Sequence, residues 1–257
     1  QRLARSRHVA EFGVAPGAQP LALAMLTLAA WPACAQVEIH TTPVERVPSQ
    51  KQVLGAQHRD TVARAVRATK RGDRKEALGI VQPVVAYCDA LLRPGHALVS
   101  VATEAEYRDY VASSGNGEPV DWVDMACPDA YQLHAFIAVE EKRFDDALAM
   151  LEKTIRLAPY WSEPLTEHGF VLNQLGRPAD GLASYRSALA LSRKHAANKR
   201  AIALALRGIG YSQVELGDLE AAEQSYRESL EVEPDNAIAQ GELDYIRQQR
   251  EKKAAKP

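Results

Sequence analysis

The sequence predicts an all-α protein, a solenoid of helical hairpins interrupted by one short irregular or α+β insertion. Two observations carry this: self-similarity at steps of 34 and 41 residues over 128–234, and small residues at matching places in each unit. Composition agrees. Of 257 residues, 46% are hydrophobic and 25% charged, with a formal net charge of -2. That excludes a disordered chain, a collagen-like fibre and a polytopic membrane protein. It also argues against a nucleic-acid partner, which needs a strongly basic face. Three cysteines without CxxC or Cys/His spacing suit neither a disulfide-dense scaffold nor a zinc site.

Residues 1–35 read as an export signal. Arg2, Arg5 and Arg7 precede the 11-residue apolar run LALAMLTLAAW (21–31), and Ala33 and Ala35 form an A-x-A cleavage site before Gln36. The run is too short to span a bilayer stably, and Pro20 and Pro32 bracket it, which disfavours a buried core helix. Acylation of Cys34 is the weaker reading, because Trp31 stands where a lipobox carries an aliphatic residue. Cleavage after Ala35 places the chain in the periplasm or outside the cell. It removes three of 31 basic residues and one of 33 acidic ones, leaving 28 and 32, a net charge of -4. Such a chain has no charge-driven attraction to anionic lipid or nucleic acid. Segment 36–55, with two prolines and no sustained period, reads as an extended linker.

The repeats follow in order. Ala135, Gly169 and Gly210 are the small residues where two helices of a hairpin cross. Ala147, Gly181 and Ala222 recur at the same steps, each four residues before Leu151, Tyr185 and Tyr226. Gly176 and Gly217 follow a leucine, and Pro159 and Pro234 close the first and third units. A residue four places along a helix lies on the same face, so the last position of each set fills the gap between neighbouring hairpins. One hairpin cannot bury its apolar face alone; stacking makes each fold.

On these residues the chain resembles the tetratricopeptide repeat family and is identified as an exported bacterial member of it. The units are 128–159, 162–193 and 203–234. The second departs from the pattern at Gly181, where alanine is usual, and lacks the closing proline. The seven extra residues before the third unit fall in LSRKHAANKR, where one turn could be added to each flanking helix. Arg193, Lys194, Lys199 and Arg200 then form a solvated tip.

Segment 56–92 reads as a degenerate hairpin of the same kind, with Gly72-Asp73 and Ala77-Leu78 imitating the repeat signals and Pro83 kinking the second helix. Residues 93–127 form the insertion: HALVSVA offers one short strand, Thr103 and Glu106 a capping box for a short helix, and SGNGEP a turn. Residues 235–257 read as a capping helix and charged tail, with Ile238, Leu243 and Ile246 on one stripe and Asp235 or Asn236 as N-cap. Cys88 and Cys127 bracket the insertion and are the thiols left after cleavage, so export predicts a disulfide between them.

Candidate chemistry is thin. There is no HExxH, no GxSxG and no phosphate-cradling glycine loop, so no enzyme activity, metal or cofactor is expected. His134 and His168 stand 34 residues apart and read as packing histidines, with a metal or pH-sensing pair as the alternative. Phe136, Phe170 and Tyr211 recur immediately after each small residue. The resemblance implies that these face a concave groove, together with Val139, Glu140, Asn173, Gln174, Val214 and Glu215, and that Arg207 joins them. The groove lacks the Lys/Asn set with which chaperone-binding members hold a terminal carboxylate. The expected function is a non-enzymatic scaffold of the bacterial cell envelope that binds a protein or peptide segment. The alternative is a ligand-binding protein or enzyme that uses the 93–127 insertion or the two histidines.

Overall fold

The computed structural model describes residues 53–113, 119–196 and 199–254. The export segment, residues 36–52 of the linker and most of the SGNGEP turn lie outside the described residues. The helices in chain order are α1 Arg59–Lys70, α2 Arg74–Ala90, α3 Glu104–Ser113, α4 Ala126–Glu140, α5 Phe144–Leu157, α6 Ser162–Gln174, α7 Pro178–Leu191, α8 Lys199–Glu215, α9 Leu219–Val232 and α10 Ala237–Ala254. Two strands accompany them, β1 Ala97–Val99 and β2 Val120–Trp122. Helices pair as α1/α2, α4/α5, α6/α7 and α8/α9, each pair packs on the next, and α10 packs on α9.

The hairpins turn on a left-handed residue at the end of each first helix. Gly72, Gly176 and Gly217 hold φ of +84°, +72° and +82°, which costs a residue without Cβ nothing. Lys142, 34 residues before Gly176, takes φ +58° in the first repeat and bears a cost of about 1–2 kcal/mol. Asp73 and Asp218 then start α2 and α9 by accepting the amides of Glu76 (2.9 Å) and Ala221 (3.1 Å).

Between hairpins the gap is filled by buried aromatics. The Tyr185 ring, 1% exposed, lies against Gly169 of its own hairpin and Gly208 of the next. The departure at Gly181 has a steric cause. A Cβ there would stand 2.6 Å from Asn173 Oδ1 and 2.9 Å from the Gly169 carbonyl oxygen. The seven extra residues are not shared as two α-helical turns. Helix α8 has 17 residues against 13 in α6, but α7 has the same 14 as α5, and the remainder is a π-helical turn over Ser192–Ala196. The cationic tip is partly paired there, Lys194 with Asp109 at 2.9 Å and Arg193 with Glu228 at 3.9 Å.

Helix α2 runs on through Pro83. The insertion holds two strands where one was expected: β1 and β2 pair in parallel with Leu98 opposite Asp121, and Leu54 extends the pairing beside Val123. Thr103 and Glu106 form the expected capping box. Thr103 Oγ1 accepts the Glu106 amide, and Glu106 Oε2 accepts the amides of Ala102 and Thr103. A Cys88–Cys127 disulfide joins the end of α2 to the start of α4, with Cα atoms 5.7 Å apart.

Beside that bond Asp124, 2% exposed, receives Arg59 Nε at 2.9 Å and Nη2, while its other oxygen accepts the Ala126 amide at 3.0 Å. Removing one partner of such a pair leaves a buried charge uncompensated. Asp129, one turn along α4, is equally buried, and its Oδ1 has no hydrogen-bond partner. Desolvation, helped by the charge of Asp124, pushes its carboxyl well above the usual carboxylate range. A raised folded-state value means that its favourable contribution is complete below pH of about 4 and is lost as pH rises toward the folded value. Asp129→Asn is therefore expected to stabilise the fold more at pH 7 than at pH 4, which urea unfolding at the two pH values would check. An equal effect at both would refute the assignment.

Candidate functional site

The inner row consists of the residue after each small residue and those three and four places later. In the first repeat this row is closed. Phe136 and Val139 are 9% and 7% exposed, because α4 is packed on one side by α1 and α2 and on the other by α5, and nearly all its residues are buried. Val139 joins Ala135, Ala138, Ala147, Leu151 and Val171 in one apolar cluster. Glu140 is bonded to Arg74 of the preceding hairpin at 2.6 Å. These three were expected to line a groove. Both apolar ones are core instead, Val139 against its own hairpin and α6, and the upstream hairpin pairs the third.

From the second repeat on the row opens. Phe170 is half-buried and packs on that same cluster. Asn173 donates to Ser212 Oγ at 2.9 Å, tying α6 to α8, so it is a strut between repeats. Arg207 is also committed, donating to Glu233 at 2.6 Å. Gln174, Tyr211 and Val214 are half-buried, and Glu215 is exposed. Val214 leans on the apolar cluster of Ala222, Tyr226, Ala239 and Ile246.

Helix α10 adds a rung that was not expected. Tyr245 stands 34 residues after Tyr211 and is half-buried, and Glu242 precedes it by three. The 34-residue step was the signal that could have found it. The capping stripe otherwise stands as expected: Ile246 is buried, Ile238 and Leu243 are half-buried, and Asn236 is the N-cap, accepting the Ala239 amide at 3.1 Å.

Glu215 and Glu242 set the local electrostatics. Burial, then the neighbouring Glu215, raises the Glu242 carboxyl. Burial and the two carboxylates push the Tyr211 phenol up to about 12 and raise that of Tyr245.

The histidines have separate surroundings. His168 Nδ1 bonds Ser184 Oγ at 2.8 Å, whereas His134 Nδ1 has no partner. Burial lowers both. Among the described residues no three His, Cys, Asp or Glu side chains are grouped to hold a metal ion, and no helix is long and apolar enough to cross a membrane.

Residues 162–233 match the tetratricopeptide repeat family. No curated protein matches the chain. Among solved structures, the repeats of a putative kinesin light chain from Podosopora anserina are similar at 12% identity, over 77% of this chain and 88% of that one, with a TM-score of 0.54. The MamA RS-1 ArsTM double mutant is similar at 14% identity, over 77% and 87%, with a TM-score of 0.52. The first repeat domain of Spaghetti (RPAP3), bound to an HSP90 peptide, is similar at 25% identity, over 45% and 86%, with a TM-score of 0.41. The first two likenesses concern the fold alone. The matched family model, the hairpin geometry and the glycine–tyrosine packing between repeats agree that residues 162–233 form tetratricopeptide repeats.

Proposed function

We propose that the chain is a non-enzymatic scaffold of the bacterial cell envelope that holds a segment of another protein against the inner row of its later repeats. The observation that carries this is the open part of that row, with half-buried rings at Phe170, Tyr211 and Tyr245 on three successive first helices. Partly exposed aromatics give large contact area at low entropy cost, which suits a peptide-binding surface. A photo-crosslinking residue placed at Tyr211 in cells should capture a discrete partner, while one placed at buried Phe136 should not. Equal capture at both positions, or none at Tyr211, would reject the reading.

The envelope location rests on the basic–apolar–A-x-A pattern of residues 1–35. A disulfide between two fully buried cysteines accords with an oxidising compartment. Mass spectrometry of the exported chain should find an N-terminus at Gln36. Retention of Arg2–Arg7, or a lipid on Cys34, would overturn it.

A further inference from the structure

Helix α3 is held to the array differently from every helix of the repeats. It lies along none of the other helices, and none of its ten residues is buried, whereas each helix of the three repeats buries at least four. Its local signals are complete. The Thr103/Glu106 capping box starts it, and Glu104 pairs with Arg108 one turn on. A helix of that length is still too short to persist in water by itself. Whatever holds α3 in place therefore also keeps it helical.

Those contacts come from side chains that are half-buried or exposed. Tyr107 and Tyr110, three apart on one face, rest on Trp122 of β2 with ring centroids 4.9 and 5.7 Å apart. Val111, away from that face, is 52% exposed. Asp109 reaches Lys194 at 2.9 Å, and Ser113 hydrogen-bonds Tyr160 in the turn between α5 and α6. Lys194 belongs to the π-helical turn Ser192–Ala196, which takes up part of the extra length before the third unit. Two departures from the repeat pattern, the insertion and the seven extra residues, thus meet at one ion pair. The Asp109 and Lys194 side chains are 41% and 66% exposed, so salt weakens their attraction and it contributes little by itself. The Cys88–Cys127 bond closes the loop around α3 without gripping either end of the helix.

We infer that α3 is a strap that opens and recloses as one unit while the repeats stay folded, with the Asp109–Lys194 pair as its latch to the second repeat. Opening bares the Trp122 ring and frees the Lys194 ammonium, so one chain offers two different surfaces.

Hydrogen exchange of the full chain, followed by mass spectrometry, tests this. Amides of α3 should exchange roughly a hundredfold or more faster than those of α4, the mark of a segment that opens well below the global free energy. Raising salt to about 0.5 M should speed α3 exchange about threefold and leave α4 unchanged. Lys194→Ala should give the same increase at low salt and abolish the salt effect, whereas Arg193→Ala, which breaks only the contact with Glu228, should change neither. Tyr107→Ala with Tyr110→Ala should strip α3 of protection while α4 and the later helices keep theirs. Equal protection of α3 and α4 in the unaltered chain would overturn the inference, because α3 would then open only with the whole fold. Unchanged α3 exchange in Lys194→Ala would overturn the latch. Loss of α4 protection in the tyrosine pair would make α3 part of the core and overturn the strap.

Discussion

Loss of the Cys88–Cys127 bond is expected to be the most damaging single chemical change to this fold. It closes a loop of 39 residues whose helix α3 buries no residue fully and whose strands are three residues long. Its apolar burial is confined to the strand region, at Val99, Val101, Val123 and Met125, so the tether carries much of the entropic constraint on the rest. Closing a loop of that length restricts the unfolded chain by about 4 kcal/mol. Replacing both cysteines by alanine should lower unfolding free energy by up to that amount. Alanine is the right replacement, because serine would add unpaired hydroxyls at two fully buried places. Urea unfolding of the double variant and of the reduced protein should agree. A change below about 1 kcal/mol would mean that the insertion holds itself together without the bond.

The second large effect belongs to Gly208. A Cβ added there would fall 2.1 Å from Tyr185 Cε1 and 2.5 Å from Cζ, in a ring that is 1% exposed and also bounded by Gly169. The ring has nowhere to go without separating two hairpins. Overpacking of this kind costs about 1–3 kcal/mol. Alanine recovers about 1 kcal/mol of helix propensity relative to glycine, so the net loss should approach 2 kcal/mol. Gly208→Ala should lower the thermal midpoint by several degrees, and Tyr185→Leu in the same chain should erase much of the added penalty. An additive pair of effects would show that the ring is not the obstacle.

Repeat units were legible because their determinants are local. A left-handed turn, a small residue at the helix crossing and an aromatic one hairpin-width later each leave a mark at a fixed offset. The matched span 162–233 is the part where those marks are densest. The inner row was only half legible. Phe136, Phe170 and Tyr211 have the same place in their units, yet Phe136 is core, because α4 is packed by α1 and α2 as well as by α5, and packing between hairpins leaves no mark at a fixed offset. Asn173 reads as a groove residue until Ser212, 39 residues on, is seen to hold it. The same side chain explains Gly181, so two apparent oddities of the second unit have one cause. Strand β2 was missed because three residues cannot display alternation, and its neighbour Leu54 because the segment ending there has no period of its own.

The outward side of α10 is charged and wet. Asp244, Arg247, Gln248 and Arg250 are all exposed, while Ala239 and Ile246 face the stack. On α1 at the opposite end, Asp60, Arg64, Arg67 and Lys70 are exposed as well. Head-to-tail polymerisation of repeat arrays requires one copy's last hairpin to offer the next copy an apolar face like the one hairpins offer each other. Here both terminal layers present hydrated ions instead, and desolvating them would cost more than the contact returns. Copies of these layers crowded at high concentration should therefore not grow into fibres along the solenoid axis.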